Sequence, residues 1–185
     1  MPIDLRPKSD HRQLRAMSQA SLQLFSSPQL LFVAVTDSTA LAGSGTFSLN
    51  YIFPGLYFTP GRAVRLIFAG KYTPTSTPTL DLKLKLTDSA GNVVYLLDLG
   101  SVTLGSVANK LFALTVLLVC RSAGATGTVQ AILLSANCDT AFTPAPPNLA
   151  TINTALTQKV ELEAAVTGTL SMTLQAMTVE SLNQN

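Results

Sequence analysis

The segment Thr79-Leu80-Asp81-Leu82-Lys83-Leu84-Lys85-Leu86 alternates leucine with polar residues throughout. Side chains of a β-strand change face at every residue, so the four leucines share one side and Asp81, Lys83 and Lys85 share the other. A helix, with about 3.6 residues per turn, would scatter those leucines around its circumference. The pattern recurs near the C-terminus, where Val160, Leu162, Ala164 and Val166 alternate with Lys159, Glu161, Glu163 and Ala165. Beyond Gly168 it resumes with Leu170, Met172 and Leu174. Alternation of this kind specifies strands with one face in a core and one in solvent.

The rest of the chain from Leu30 onward has the same character. Apolar runs at Leu30–Thr36, Thr46–Tyr51, Arg62–Gly70, Val93–Leu99, Leu111–Arg121 and Thr128–Ala136 are separated by turn residues such as Pro54-Gly55 and Pro60-Gly61. With the strands at 79–87, 157–166 and 169–179, they predict an all-β, antiparallel, two-sheet sandwich of about eight strands. The body contains no helical pattern of normal length and no repeat. The short loops 88–92 and 123–125 predict hairpins, the second placing residue 120 opposite about residue 129. Leu111–Arg121 and Thr128–Ala136 are apolar on both faces, which suits the middle of a sandwich or a subunit contact. Ala141–Pro147 reads as a proline-rich crossover loop.

A chain of 185 residues supports one domain with a sizeable core. Apolar residues make up 47% of it and charged residues only 12%, about half the usual charged share. So little charge predicts that part of the surface is covered, with a partner subunit as the first candidate. The apolar run Leu111–Cys120 is far shorter than the roughly 20 residues a spanning helix needs. Charged residues occupy the N-terminus where a signal peptide has its apolar core. The expectation is a soluble protein with no membrane partner.

Residues 1–29 form a separate N-terminal arm, followed by the sandwich domain at 30–185. Arg6, Lys8, Arg12 and Arg15 stand against Asp4 and Asp10, and the remaining eight bases and eight acids cancel, so the net charge of +2 resides in the arm. An excess this small argues against nucleic acid as a partner. The arm's composition is compatible with a short helix over Asp10–Gln19 capped by Ser9 or Asp10, with an extended docking arm, or with a solvated tail.

Catalytic chemistry is sparse. The single histidine, His11, lies in the arm with no other His or Cys nearby to complete a metal site. The hairpin geometry separates Cys120 from Cys138 by about 25 Å, too far for a disulfide, so both are expected as free thiols of a reducing compartment. Glu161 and Glu163 sit about 7 Å apart on one strand face, a spacing shared by glycosidase carboxylates and by ordinary solvated strands. Gly124-Ala125-Thr126-Gly127 lacks the strand–helix context of a phosphate loop and reads as a turn. Tryptophan is absent, which weakens sugar or base stacking. No enzymatic activity, cofactor or metal is expected.

Several phrases carry a resemblance. Pro54-Gly55-Leu56-Tyr57-Phe58-Thr59-Pro60-Gly61-Arg62-Ala63-Val64-Arg65 with Ala69-Gly70-Lys71-Tyr72, then Thr77-Pro78-Thr79-Leu80, then Leu118-Val119-Cys120-Arg121-Ser122-Ala123-Gly124-Ala125-Thr126-Gly127-Thr128-Val129, resemble a pattern in virion structural proteins of tailed bacteriophages. The resemblance spans about Thr39 to Leu182 and excludes the arm. It implies a jelly-roll module, commonly a homotrimer, serving as capsid decoration (cement) or as part of a fibre or spike. The expected role is therefore decoration, with the major capsid protein as partner on the outer capsid surface. Arg6, Lys8, His11, Arg12, Arg15, Leu22, Leu24 and Phe25 are the expected capsid-contact residues. A receptor-binding fibre module is the alternative. A glycan-active or carbohydrate-binding protein is a third reading that lacks an acidic or aromatic site.

Overall fold

The computed structural model describes residues 28–138, 141–142 and 149–182. Within them the chain forms twelve strands and no helix. In order these are β1 (Gln29–Ala34), β2 (Leu41–Ala42), β3 (Gly45–Phe53), β4 (Ala63–Pro74), β5 (Thr79–Asp88) and β6 (Val93–Asp98), then β7 (Val102–Thr103), β8 (Lys110–Ser122), β9 (Gly127–Asn137), β10 (Leu149–Ile152), β11 (Gln158–Thr167) and β12 (Leu170–Ser181). They build two antiparallel sheets packed face to face as a jelly-roll-like sandwich. The seven-stranded sheet runs β1-β12-β4-β8-β9-β10, with β2 on β12. The five-stranded sheet runs β3-β11-β5-β6, with β7 on β5.

The leucine strand is β5, and its burial alternates residue by residue along its whole length. Leu80, Leu82, Leu84 and Leu86 enter one core with Val64, Leu66 and Phe68 of β4 and Leu114, Val116 and Leu118 of β8. Each such side chain removed from water contributes on the order of 2 kcal/mol. Long strands of both sheets obey the same rule, so the core is a single continuous layer between them.

Both predicted hairpins form. Between β5 and β6, Asp88 Oδ1 accepts from the backbone N–H groups of Ala90 and Asn92, both at 2.9 Å, and Gly91 takes the positive φ of 87° that the turn requires. Between β8 and β9, Cys120 pairs with Val129, the register expected from the sequence. Cys138 lies beyond the far end of β9, and its Sγ donates to the Tyr72 hydroxyl at 3.3 Å. Both cysteines are free. Burial raises the Cys120 thiol pKa, which leaves it a packing residue with little thiolate character.

The nine strand runs legible in the sequence all occur. The additional strands β2, β7 and β10 hold two, two and four residues. Segments that short show no periodicity, and they exist because a long neighbour offers them backbone partners. No helix among the described residues is long and apolar enough to cross a membrane.

Candidate functional site

The two sheets present unlike outer faces. On the five-stranded sheet, register sets opposite charges side by side: Glu161 of β11 pairs with Lys85 of β5, and Glu163 pairs with Lys83. Lys159 Nζ contacts Glu161 Oε1 at 2.9 Å, and Lys85 Nζ contacts Glu163 Oε2 at 2.7 Å. Lys83 Nζ bridges Asp81 at 3.2 Å and Asp98 at 3.0 Å. Hydroxyls fill the gaps, with Thr87 donating to Glu161 at 3.0 Å and Tyr95 to Glu163 at 3.2 Å. The Lys85 ammonium also donates to Thr46 at 2.8 Å. This is a closed ion lattice across β3, β11, β5 and β6.

The lattice shifts the titration of several of its members. The hydrogen bond from Lys85 holds the Glu163 carboxyl below its ordinary value, against the opposing effect of burial. Burial raises the Asp81 carboxyl, whose Oδ1 has no hydrogen-bond partner. Hydrogen bonds to Asp98 and Asp81 raise the Lys83 ammonium. Glu161 and Glu163, the pair with glycosidase-like spacing, are thus both engaged by lysines. Glu163, whose ionised form Lys85 favours, is not the protonated carboxylic acid that glycoside cleavage needs beside a free carboxylate.

The outer face of the seven-stranded sheet has the opposite character. Cross-strand rows read Val33–Thr178–Ile67–Thr115–Ser135 and Leu30–Glu180–Arg65–Leu117–Ile132 from β1 to β9. A third row is Ala63–Val119–Gln130–Leu149, reaching β10. Arg65 and Glu180 neutralise each other as an ion pair, and Lys71 lies 3.7 Å from Asp37. Outward positions of β8 carry no charge from Leu111 to Val119. Leu111 is 72% exposed, Leu149 55% and Leu134, at a bulge in β9, 53%. The strand that reads as apolar on both faces therefore lies inside this sheet, with one side in the core and the other facing outward, half-buried from Ala113 to Val119 and exposed at Leu111.

The motif Pro54–Arg62 closes one end of the sandwich. Phe53 and Phe58 are fully buried with ring centroids 4.9 Å apart, and Tyr57 packs 5.0 Å from Phe53. The Arg62 guanidinium lies 4.6 Å over the Tyr57 ring and donates to the Tyr57 carbonyl at 2.8 Å. Gly55 permits the close approach, since a Cβ there would stand 2.6 Å from the Ala155 carbonyl oxygen. Leu56, 70% exposed, holds a positive φ of 63° at the loop tip. Residues 54–62, the first of the segments that carry the resemblance, are thus a packed end plug, within which Tyr57 Oη, Thr59 Oγ1 and Arg62 Nε are buried without a hydrogen-bond partner.

A cleft of about 270 Å³ lies among Asp88, Asn92, Val94, Ala125, Thr151, Ile152, Asn153 and Gln158. Several of its polar groups are already engaged: Asn92 Nδ2 donates to Asp88 Oδ2 at 2.9 Å, and Gln158 Nε2 donates to the Asn153 carbonyl at 2.7 Å. Hydrogen bonds from Asn92 lower the Asp88 pKa, so this carboxylate is no poised base. Ala125 belongs to the glycine turn, where Gly124 N–H donates to Thr154 Oγ1 at 2.7 Å. Among the described residues, no group of three His, Cys, Asp or Glu side chains gathers to hold a metal.

The sequence-derived contact residues Arg6, Lys8, His11, Arg12, Arg15, Leu22, Leu24 and Phe25 lie outside the described residues. The first described strand, β1, begins at Gln29 on the edge of the seven-stranded sheet. Sequence reasoning did not single out the outer face of that sheet as a site. Its signal was present in the two-sided apolarity of 111–121, but assigning one side to the surface needs the sheet order.

No protein-family model matches the chain, and no curated protein matches it. Among solved structures, peanut lectin with a nonapeptide aligns over 88% of this chain and 93% of the lectin, at 11% identity and a TM-score of 0.36. A likeness that low carries no argument about function.

Proposed function

We propose that the protein is a bacteriophage capsid decoration protein, binding the outer surface of the shell as an oligomer and stabilising it. The observation that carries this reading is the broad outer face of the seven-stranded sheet, where the outward positions of β8 from Leu111 to Val119 carry no charge and Arg65 is paired with Glu180. The resemblance of residues 54–65, 77–80 and 118–129 to tailed-phage virion modules supports the virion setting and the homotrimer. The partner is the major capsid protein, met on the particle surface after assembly in the host cytoplasm.

The mechanism is binding without chemistry. Arg6, Lys8, Arg12 and Arg15 would meet acidic capsid surface, with His11 among them, while Leu22, Leu24 and Phe25 would fill apolar grooves. Several arms on one oligomer raise the effective concentration of each weak contact. A ligand that binds only the assembled shell stabilises it by mass action.

Co-sedimentation with empty shells tests the reading. Deleting residues 1–28 is expected to leave a soluble oligomer that no longer binds, and undiminished binding would refute the clasp. Copy number per particle separates the readings further. A stoichiometry matching the capsid lattice supports decoration, whereas a few copies at one vertex, together with host-cell binding, supports a fibre or spike.

A further inference from the structure

We infer that the outer face of the seven-stranded sheet is where copies of this chain meet, turned toward a common axis with the ion-lattice faces pointing away. The inference deepens the oligomer part of the reading above and rests on it. The occupant is a second copy, for three reasons.

The first is area. β4 and β8 pair continuously from Ala63 to Tyr72, a length of about 30 Å, and the six strands in the main path span about 25 Å, since neighbours lie roughly 4.8 Å apart. The resulting surface of about 750 Å² is close to the roughly 800 Å² per partner of a standard stable interface.

The second is charge. Arg65 is neutralised by Glu180 and Lys71 lies 3.7 Å from Asp37, so the middle of the face, away from the exposed Arg121 near the end of β8, offers little net field. It neither repels a like face nor attracts a strongly charged partner such as nucleic acid or an acidic peptide. The third is the contrast within the molecule. The lysines and acids of the opposite face satisfy one another, so that side gains little by being covered, and desolvating it would cost more than it returns. The apolar side chains exposed there, Ile52, Val93 and Tyr95, lie on the outer strands β3 and β6 and flank the ion pairs.

Sedimentation equilibrium of the full chain is the test. The expected result is a multiple of the 19.5 kDa chain mass. Leu117→Glu, at the centre of the face, should shift the protein to monomer with an unchanged β-type circular-dichroism spectrum. Should that variant fail to fold, Leu134→Lys and Leu149→Lys provide the same test at side chains already more than half exposed. Each should raise the self-dissociation constant at least about tenfold, while Ile52→Lys on the opposite face should leave it unchanged. A monomeric wild type would overturn the inference, as would an oligomer indifferent to substitutions at 134 and 149. A monomer that associates only after residues 1–28 are removed would also overturn it, assigning the face to the chain's own N-terminal segment. Shell binding is scored separately: a face-dependent oligomer that ignores shells would sustain this inference and refute the decoration role.

Discussion

The outer faces of the two sheets are made from the same strand geometry yet solve opposite problems. On the five-stranded sheet, Lys83, Lys85 and Lys159 find Asp81, Asp98, Glu161 and Glu163 across or along the strands, and every lysine reaches a carboxylate within 3.2 Å. On the seven-stranded sheet, the corresponding positions hold Ile67, Ala69, Ala113, Leu117, Val119 and Ile132 beside the uncharged polar Thr115, Gln130, Ser135 and Thr178, with one central ion pair and Lys71 near Asp37. A lattice of partly exposed ion pairs is finished as it stands in water. An apolar sheet face of this breadth is unfinished, because water around it carries a free-energy cost that a partner would remove. The chain's low overall charge is therefore not spread evenly, and that asymmetry identifies the side on which assembly should be sought.

The largest perturbation should come from beneath the lattice. Leu82 is 1% exposed, and Leu82→Asp would bury an unpaired carboxylate between the sheets. Loss of the cooperative thermal transition is expected, and a folded Leu82→Asp protein would show that β5 has been assigned the wrong face. Next is Gly70→Ala in β4, where a Cβ would stand 2.5 Å from both the Phe112 ring and the Thr173 carbonyl oxygen. Overpacking of that kind should cost about 1–3 kcal/mol in urea denaturation.

The lattice itself should respond to pH. The folded-state pKa of Glu163 is depressed, so its contribution is present above the ordinary value near 4.5 and is lost as pH falls through the lower folded value. Glu163→Gln should lower the melting temperature at neutral pH and flatten its decline on acidification; an unchanged acid limb would mean that the Lys85 contact is not formed in solution. The smallest effect belongs to Lys83→Thr. Its pairs are partly exposed and of the class worth about 1 kcal/mol or less, although Asp81 and Asp98 lose their shared cation. Equal damage from Lys83→Thr and Leu82→Asp would erase the distinction between the two sides of β5.

Much of the architecture was legible because it is written in local periodicity. The alternation at 79–86, the turn at 88–92 and the glycine turn at 124–127 suffice to place β5, β6, β8 and β9, including the pairing of Cys120 with Val129. The short strands β2, β7 and β10 were not legible, since two to four residues have no period. The ion lattice was half legible. The charges on β5 and β11 were visible as solvated faces, but that Glu163 meets Lys85 and Tyr95 depends on β11 lying between β3 and β5. The apolar surface was legible as the two-sided apolarity of 111–121 and 128–136, which suits the middle of a sandwich or a subunit contact, but which of their residues face outward beside those of β4 and β12 needed the sheet order.

Sequence alone determined that this chain makes strands, where the turns fall and which side of each strand is oily, because those properties depend on neighbours one or two residues away. Tertiary structure decided which strands share a sheet, and thereby turned one set of outward side chains into a lattice of ion pairs and the other into a mixed face of apolar and hydroxyl side chains around one central ion pair. Those outcomes depend on pairings between residues up to more than a hundred positions apart, such as Arg65 with Glu180. Burial on a sheet face is a property of the assembled neighbours, and no single strand carries it.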